Sequence, residues 1–180
     1  SDYLVDYHIL HPARDDDVLR RIRNELTAAG IPIEGSKGEW GKGQHEVNLL
    51  YAEALETADR HVLFKLGAKD IAAQQERALT FMAKWAADQA GSSFHLHTSL
   101  WDAPASQNRF WDAAGECGSK LFRQFLGGLM KYGRELSCFF APTINSYKRY
   151  QSGSWAPTKL VWAHDNRTCV HSRFGGQLST

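Results

Sequence analysis

Cysteine is scarce in this chain, and what there is does not pair up. Cys117, Cys138 and Cys169 are odd in number and lack the short spacing of a metal-ligand set, which excludes a disulfide framework and a structural zinc site and suits reduced thiols in a cytoplasmic protein. A long hydrophobic run is missing too: no stretch approaches the about 18 apolar residues of a membrane span, and the first residues lack a secretory-leader pattern. Nor does one sign of charge dominate. A formal net charge of +1 gives no electrostatic footprint for nucleic acid or a membrane surface. Repeats, charge blocks and internal linkers are absent. What remains, 180 residues with 43% hydrophobic and 12% aromatic content, describes one soluble globular domain that buries roughly 70% of its unfolded surface.

The most informative stretch is Gly35-Ser36-Lys37-Gly38-Glu39-Trp40-Gly41-Lys42-Gly43-Gln44-His45-Glu46. Glycines tolerate backbone conformations closed to other residues, so the chain can turn tightly there and aim Glu39 and Glu46 into one space. The following Val47-Asn48-Leu49-Leu50-Tyr51 continues a β-like run from Glu46, with Glu46 and Asn48 on one face. Two convergent carboxylates suit a hard divalent cation such as Mg²⁺ or Mn²⁺. The same residues equally suit a surface hairpin with two solvated acids.

Around it the periodicity predicts short strands alternating with longer helices. A strand is expected over 3–10. A helix follows over 15–29, with Val18, Leu19, Ile22 and Leu26 on one face and Gly30 as its stop. A strand over 31–34 leads into the glycine-rich stretch. The longest helical pattern covers 52–79, with Leu55, Ala58, Val62, Leu66 and Ile71 as its buried stripe and a bend at Gly67. Residues 80–84 read as a short strand and 85–91 as a loop. Over 92–100 alternation is clean: Phe94, Leu96, Thr98 and Leu100 on one face, Ser93, His95, His97 and Ser99 on the other. Same-face neighbours in a strand lie about 7 Å apart, so one imidazole could hold a metal while the next reaches another ligand. Hydrogen-bonded histidines on a polar outer face read the same way. A loop over 103–116, a helix over 120–136 with Leu121, Phe125, Leu129 and Met130 inward, and a strand over 158–163 complete the pattern. Lys148 and Arg149 lie in a turn-rich segment; arginine can grip a carboxylate or phosphate through two parallel hydrogen bonds, though a solvated basic pair looks identical.

The motifs Gly43-Gln44-His45-Glu46, Thr80-Phe81-Met82-Ala83-Lys84, Gly91-Ser92-Ser93-Phe94-His95-Leu96-His97-Thr98-Ser99-Leu100, Asn145-Ser146-Tyr147-Lys148-Arg149, Ala156-Pro157-Thr158 and Asp165-Asn166-Arg167-Thr168, in that order, resemble glutamine synthetase. The Lys-Gly-Glu-Trp-Gly opening and the Asp-Asn-Arg-Thr ending are more similar to its γ-glutamyl–amine ligase branch. The resemblance implies an α+β fold, an antiparallel curved sheet (partial barrel) flanked by helices, with residues 1–180 as a catalytic domain truncated at both ends and lacking the N-terminal β-grasp domain. It implies ligation of glutamate to ammonia or an amine through a γ-glutamyl phosphate, with ATP as co-substrate, two Mg²⁺ or Mn²⁺ sites and a homo-oligomer in the full-length form. Residue by residue, it implies that Glu39 and Glu46 hold the first metal and His95 the second. Lys84, His97, Ser99 and Arg167 match the nucleotide side, and Arg167 also neutralises phosphate during transfer. Gly91 matches the lip of the glutamate pocket, and Arg149 the arginine that grips the glutamate carboxylate.

Several positions depart from the family pattern. Trp155 stands where a flap glutamate is expected before Ala156-Pro157, which favours a bulkier, less polar amine than ammonia. Ala90 replaces a pocket asparagine, and Trp85 replaces a proline. Ser172 occupies the place of a further arginine, with Arg173 one position later. These departures keep a second reading open, a non-catalytic relative that retains the fold for binding or regulation.

Overall fold

A computed structural model describes residues 8, 10, 12–113, 118–164, 169 and 171–173. The strand expected over 3–10 and the motif at 165–168 lie mostly or wholly outside them. The chain divides into two compact units, residues 1–92 and 93–180.

In the first unit a single 3-10 turn, Pro12–Asp15, leads into helix α1, Asp16–Ala28. Acidic Asp16 and Asp17 in its first turn complement the positive end of the helix dipole. Val18, Leu19, Ile22 and Leu26 recur at helical spacing and are all buried. The helix stops at Gly30: the Gly30 amide donates to the Thr27 carbonyl and the Ile31 amide to the Leu26 carbonyl, which satisfies two carbonyls of the last turn. Strand β1, Ile33–Gly38, pairs antiparallel with β2, His45–Leu49, with a bulge between Ile33 and Gly35. The intervening turn is closed by the Gln44 amide on the Gly41 carbonyl at 3.0 Å, and Gly43 takes the positive φ of 62° that a side chain resists.

Helix α2, Ala54–Gln74, packs on α1 through a face that shares Ile71 with the expected stripe but otherwise differs from it. Phe64, Ala68, Ile71 and Ala72 are buried, while Leu55, Val62 and Leu66 are 76%, 67% and 65% exposed. The reason is that α2 is apolar on two sides and α1 covers only one. Gly67 lies within the unbroken helix, where a Cβ would stand 2.6 Å from Leu26 Cδ2, so α1 approaches α2 closely there. Ile31 joins the core, with Ile33, Val47, Leu49, Leu79 and Phe81 packed against it and Phe64 and Phe81 meeting edge to face at 5.7 Å. Residues 80–84 form no strand, and 85–91 is the expected loop.

Residues 92–100 belong to no ladder, and 93–100, at the start of the second unit, are exposed. Alternation supplies a strand only where a neighbour offers its own amides and carbonyls. Here the one bridge nearby joins Trp101 to Asn108. Helix α3, Lys120–Tyr132, is capped by Ser119, whose side chain accepts from the Phe122 amide, and Phe110 meets Phe122 edge to face at 5.6 Å and Phe125 at a tilt at 5.1 Å. It ends earlier than its periodicity suggests and buries no residue fully: Leu121 and Phe125 stay exposed, Leu129 and Met130 half-buried. The short helices α4, Ser137–Phe140, and α5, Ile144–Tyr147, follow. Finally β3, Trp162–His164, pairs in parallel with β4, His171–Arg173; β3 starts later than expected. Among the described residues no helix is long and apolar enough to cross a membrane.

Candidate active site

The hairpin β1–β2 brings Glu39 and Glu46 together. Lys37 pairs across the ladder with Glu46, and Glu39 lies two residues beyond Lys37 on the same face. The Lys37 ammonium donates to Glu39 and stands 3.3 Å from Glu46 Oε2. Burial alone would push the Glu39 carboxyl up; the hydrogen bond from Lys37, the contact with Glu46, the Lys37 charge and the Trp40 amide outweigh it and hold Glu39 below its usual range. For Lys37, burial acts against the charge, and Glu39 and Glu46 outweigh it and raise its value. Two carboxylates thus converge on one positive charge. That donor set, hard oxygen on a fixed turn, fits Mg²⁺ or Mn²⁺.

Gln44 connects this pair to the next element. Its side-chain oxygen accepts from the Gly41 amide at 2.9 Å, and its Nε2 donates to the Gly91 carbonyl at 3.1 Å and reaches Ser92 Oγ at 3.3 Å. The acidic turn and Gly91 are thereby held by one side chain. The sequence gives Gln44 no role beyond membership of the Gly43-Gln44-His45-Glu46 motif, whose spacing is its one signal. On the opposite side of β2, His45 Nε2 lies 3.0 Å from Asp15 Oδ2, and Arg77 donates to Asp15 Oδ1 at 3.0 Å. This network ties the 3-10 turn ahead of α1, the hairpin and the segment just after α2 together. Asp15 spends its carboxylate there rather than capping α1. Lys84 donates to the Gln89 carbonyl within its own loop.

In the second unit Arg149 is half-buried just after α5. Its Nη2 donates to Ser93 Oγ at 2.9 Å, while its Nε is buried with no hydrogen-bond partner. Burial depresses the Arg149 value, with Tyr150 acting in the opposite direction. A guanidinium that is partly desolvated and keeps an unspent donor is suited to a carboxylate or phosphate. His95 stands exposed two residues from Ser93, and Ser99 Oγ accepts from the Trp101 indole at 3.0 Å. His97 lies on the same stretch. Arg167 falls outside the described residues. Among the described residues no three ligand-type side chains gather in one cluster. Trp155 is 76% exposed with a φ of 59°, beside the buried Ala156.

Residues 5–172 match the family model described as glutamine synthetase, catalytic domain. A γ-glutamylethanolamide synthetase of Streptomyces coelicolor is 49% identical over 170 residues, covering 94% of this chain and 36% of the relative. A glutamate–isopropylamine ligase of a Pseudomonas species is 38% identical over 165 residues, covering 92% and 36%. Among solved structures, a GmaS–ADP complex superposes with a TM-score of 0.85 at 32% identity, covering 96% of this chain and 42% of the other. The Plasmodium falciparum glutamine synthetase gives 0.79 at 30% identity, covering 85% and 29%. The α+β fold is therefore of the glutamine synthetase catalytic type, and the chain spans little more than a third of the length of these curated relatives.

Proposed function

Because this chain belongs to the glutamine synthetase family, we propose that it carries part of the catalytic domain of an ATP-dependent glutamate–amine ligase. The observation that carries the reading is the convergence of Glu39 and Glu46 on one cation, with Gln44 fastening that turn to Gly91. In this reading Glu39 and Glu46 hold one divalent cation and His95 contributes to a second. Lys84, His97, Ser99 and Arg167 face the nucleotide, and Gly91 and Arg149 receive glutamate. The divalent cations supply charge neutralisation for phosphoryl transfer when bound.

A carboxylate is a poor acyl donor, so the γ-carboxylate of glutamate attacks the terminal phosphorus of ATP and ADP leaves. The acyl phosphate is then attacked by an amine, the carbon–oxygen bond to phosphate breaks, and inorganic phosphate departs. Chemistry of this kind rests on positioning and charge complementarity. Arg149 suits it: a half-buried guanidinium that spends one nitrogen on Ser93 and keeps Nε for an acid. For the acceptor we favour a small primary amine over ammonia, since Trp155 stands where the family pattern has a carboxylate and the two relatives named above carry amine acceptors in their names. The complete enzyme is expected to act as a cytoplasmic homo-oligomer.

Phosphate release from Mg²⁺–ATP and glutamate, compared with ammonium, ethanolamine and putrescine as acceptors, tests this. Release that requires one of these amines, and falls at least about 100-fold in Glu46→Ala and His95→Ala, is the expected result. Absence of release with every amine, from a chain that is folded by circular dichroism, would rule out catalysis by this chain alone. A binding or regulatory relative would then be the better reading.

A further inference from the structure

Lys37, the first residue of the Lys-Gly-Glu-Trp-Gly stretch, is the charged side chain at the acidic pair to which no role has been given. It follows from the ladder register that Lys37, Glu39 and Glu46 share one face of the hairpin, and the ammonium is held by both carboxylates. Two carboxylates kept this close repel one another unless a cation lies between them. We propose that Lys37 is a built-in counter-ion: it keeps Glu39 and Glu46 together while no metal is bound, and it must withdraw when a divalent cation enters. This rests on the reading of Glu39 and Glu46 as metal ligands.

The consequence has a definite sign. With Lys37 present the acidic pair offers a net charge of −1 and a competitor already in place; without it the pair offers −2 and no competitor. If the displaced ammonium stays nearby, it also repels the incoming ion. Both effects weaken metal binding, so the turn is preorganised at the expense of affinity. The pair is about one-third exposed on each side, which limits the effect to that of a partly screened ion pair. Flexibility of the lysine stem makes withdrawal easy: four methylenes let the ammonium swing to water without moving β1.

The test titrates Mn²⁺ alone, without nucleotide or glutamate, into the chain and reads free Mn²⁺ by electron paramagnetic resonance. Lys37→Met should bind Mn²⁺ about fivefold more tightly than the unaltered chain, and Lys37→Arg, which keeps the charge, no more tightly than it. Unchanged or weaker binding in Lys37→Met would overturn the inference. A second measurement needs no variant: reductive methylation of the unaltered chain, read by mass spectrometry, should label Lys37 faster once Mn²⁺ is saturating, while Lys69 on α2 keeps its rate. Equal labelling of Lys37 with and without Mn²⁺ would equally overturn it. Glu46→Gln separates the two layers. Mn²⁺ binding that survives this substitution removes the ligand assignment itself, whereas binding that is lost in Glu46→Gln but indifferent to Lys37→Met removes only the role of Lys37.

Discussion

Trp155 combines three properties that rarely coincide in one residue. It is large, it is mostly exposed, and its φ of 59° lies in the left-handed region that side chains resist. Strain of this kind costs about 1–3 kcal/mol and persists where neighbours hold the backbone in place. Here the neighbours are visible. Ser154 Oγ donates to the carbonyls of Arg149 and Gln151, and Ala156 is buried directly after the tryptophan. The segment that follows Arg149 is thus folded back on it, and Trp155 is the position at which the turn is strained. Replacing Trp155 by glycine removes the strain but adds freedom to the unfolded chain, so a net gain of about 0.5–1 kcal/mol is expected, read as a raised urea midpoint. A lowered midpoint would mean that the indole contributes packing greater than the strain. The Trp155 side chain therefore offers an apolar face to solvent at a local energetic cost, in keeping with a role toward a ligand.

Helices α1 and α2 illustrate what sequence pattern can and cannot decide. In α1 the apolar residues form one stripe, so periodicity and packing agree on Val18, Leu19, Ile22 and Leu26. In α2 the apolar residues surround the helix. Pattern alone picks out Ile71 but gives no reason to prefer Phe64, Ala68 and Ala72 over Leu55, Val62 and Leu66, and the choice is made by where α1 lies. Residues 92–100 fail to form the expected strand for a related reason, because a ladder needs a partner that alternation cannot supply. The acidic hairpin was legible because its geometry is local: turn glycines and a two-residue period place Glu39 and Glu46 together without help from distant chain. The tie from Gln44 to Gly91 spans 47 residues and was not. Two glycines test the packing argument. Gly67→Ala adds helix propensity but drives a Cβ to within 2.6 Å of buried Leu26, so destabilisation of about 1–2 kcal/mol is expected. Gly127→Ala in α3 meets nothing within 4 Å and should stabilise by about 0.5–1 kcal/mol. Thermal or urea unfolding of both variants decides the matter; equal shifts would contradict the close approach at Gly67.

At the scale of the whole chain the burial is uneven. The first unit owns the continuous cluster that runs from Val18 through Ile31 to Ala72. In the second unit the buried apolar residues among those described are Ala141 and Ala156, and α3 buries none fully. Amide protection follows burial and hydrogen bonding, because a segment opens locally at a cost set by what it uncovers. Hydrogen exchange followed by mass spectrometry should therefore find the slowest amides in α1 and α2, at residues 19–28 and 62–74, and amides of α3 and α5 exchanging at least about tenfold faster. Slow exchange throughout α3 would show that the second unit draws stability from a source other than buried side chains. The contrast bears on function. The acidic turn and Gly91 lie in the well-packed unit, which would give the proposed metal site a rigid frame, whereas His95 and Arg149 lie in the sparsely packed one. A ligand that engages Arg149 must then supply part of the order itself. Adding glutamate with Mg²⁺–ATP should accordingly slow exchange around 93–100 and 144–156 more than in α1. Protection confined to the first unit would place the binding energy at the hairpin alone.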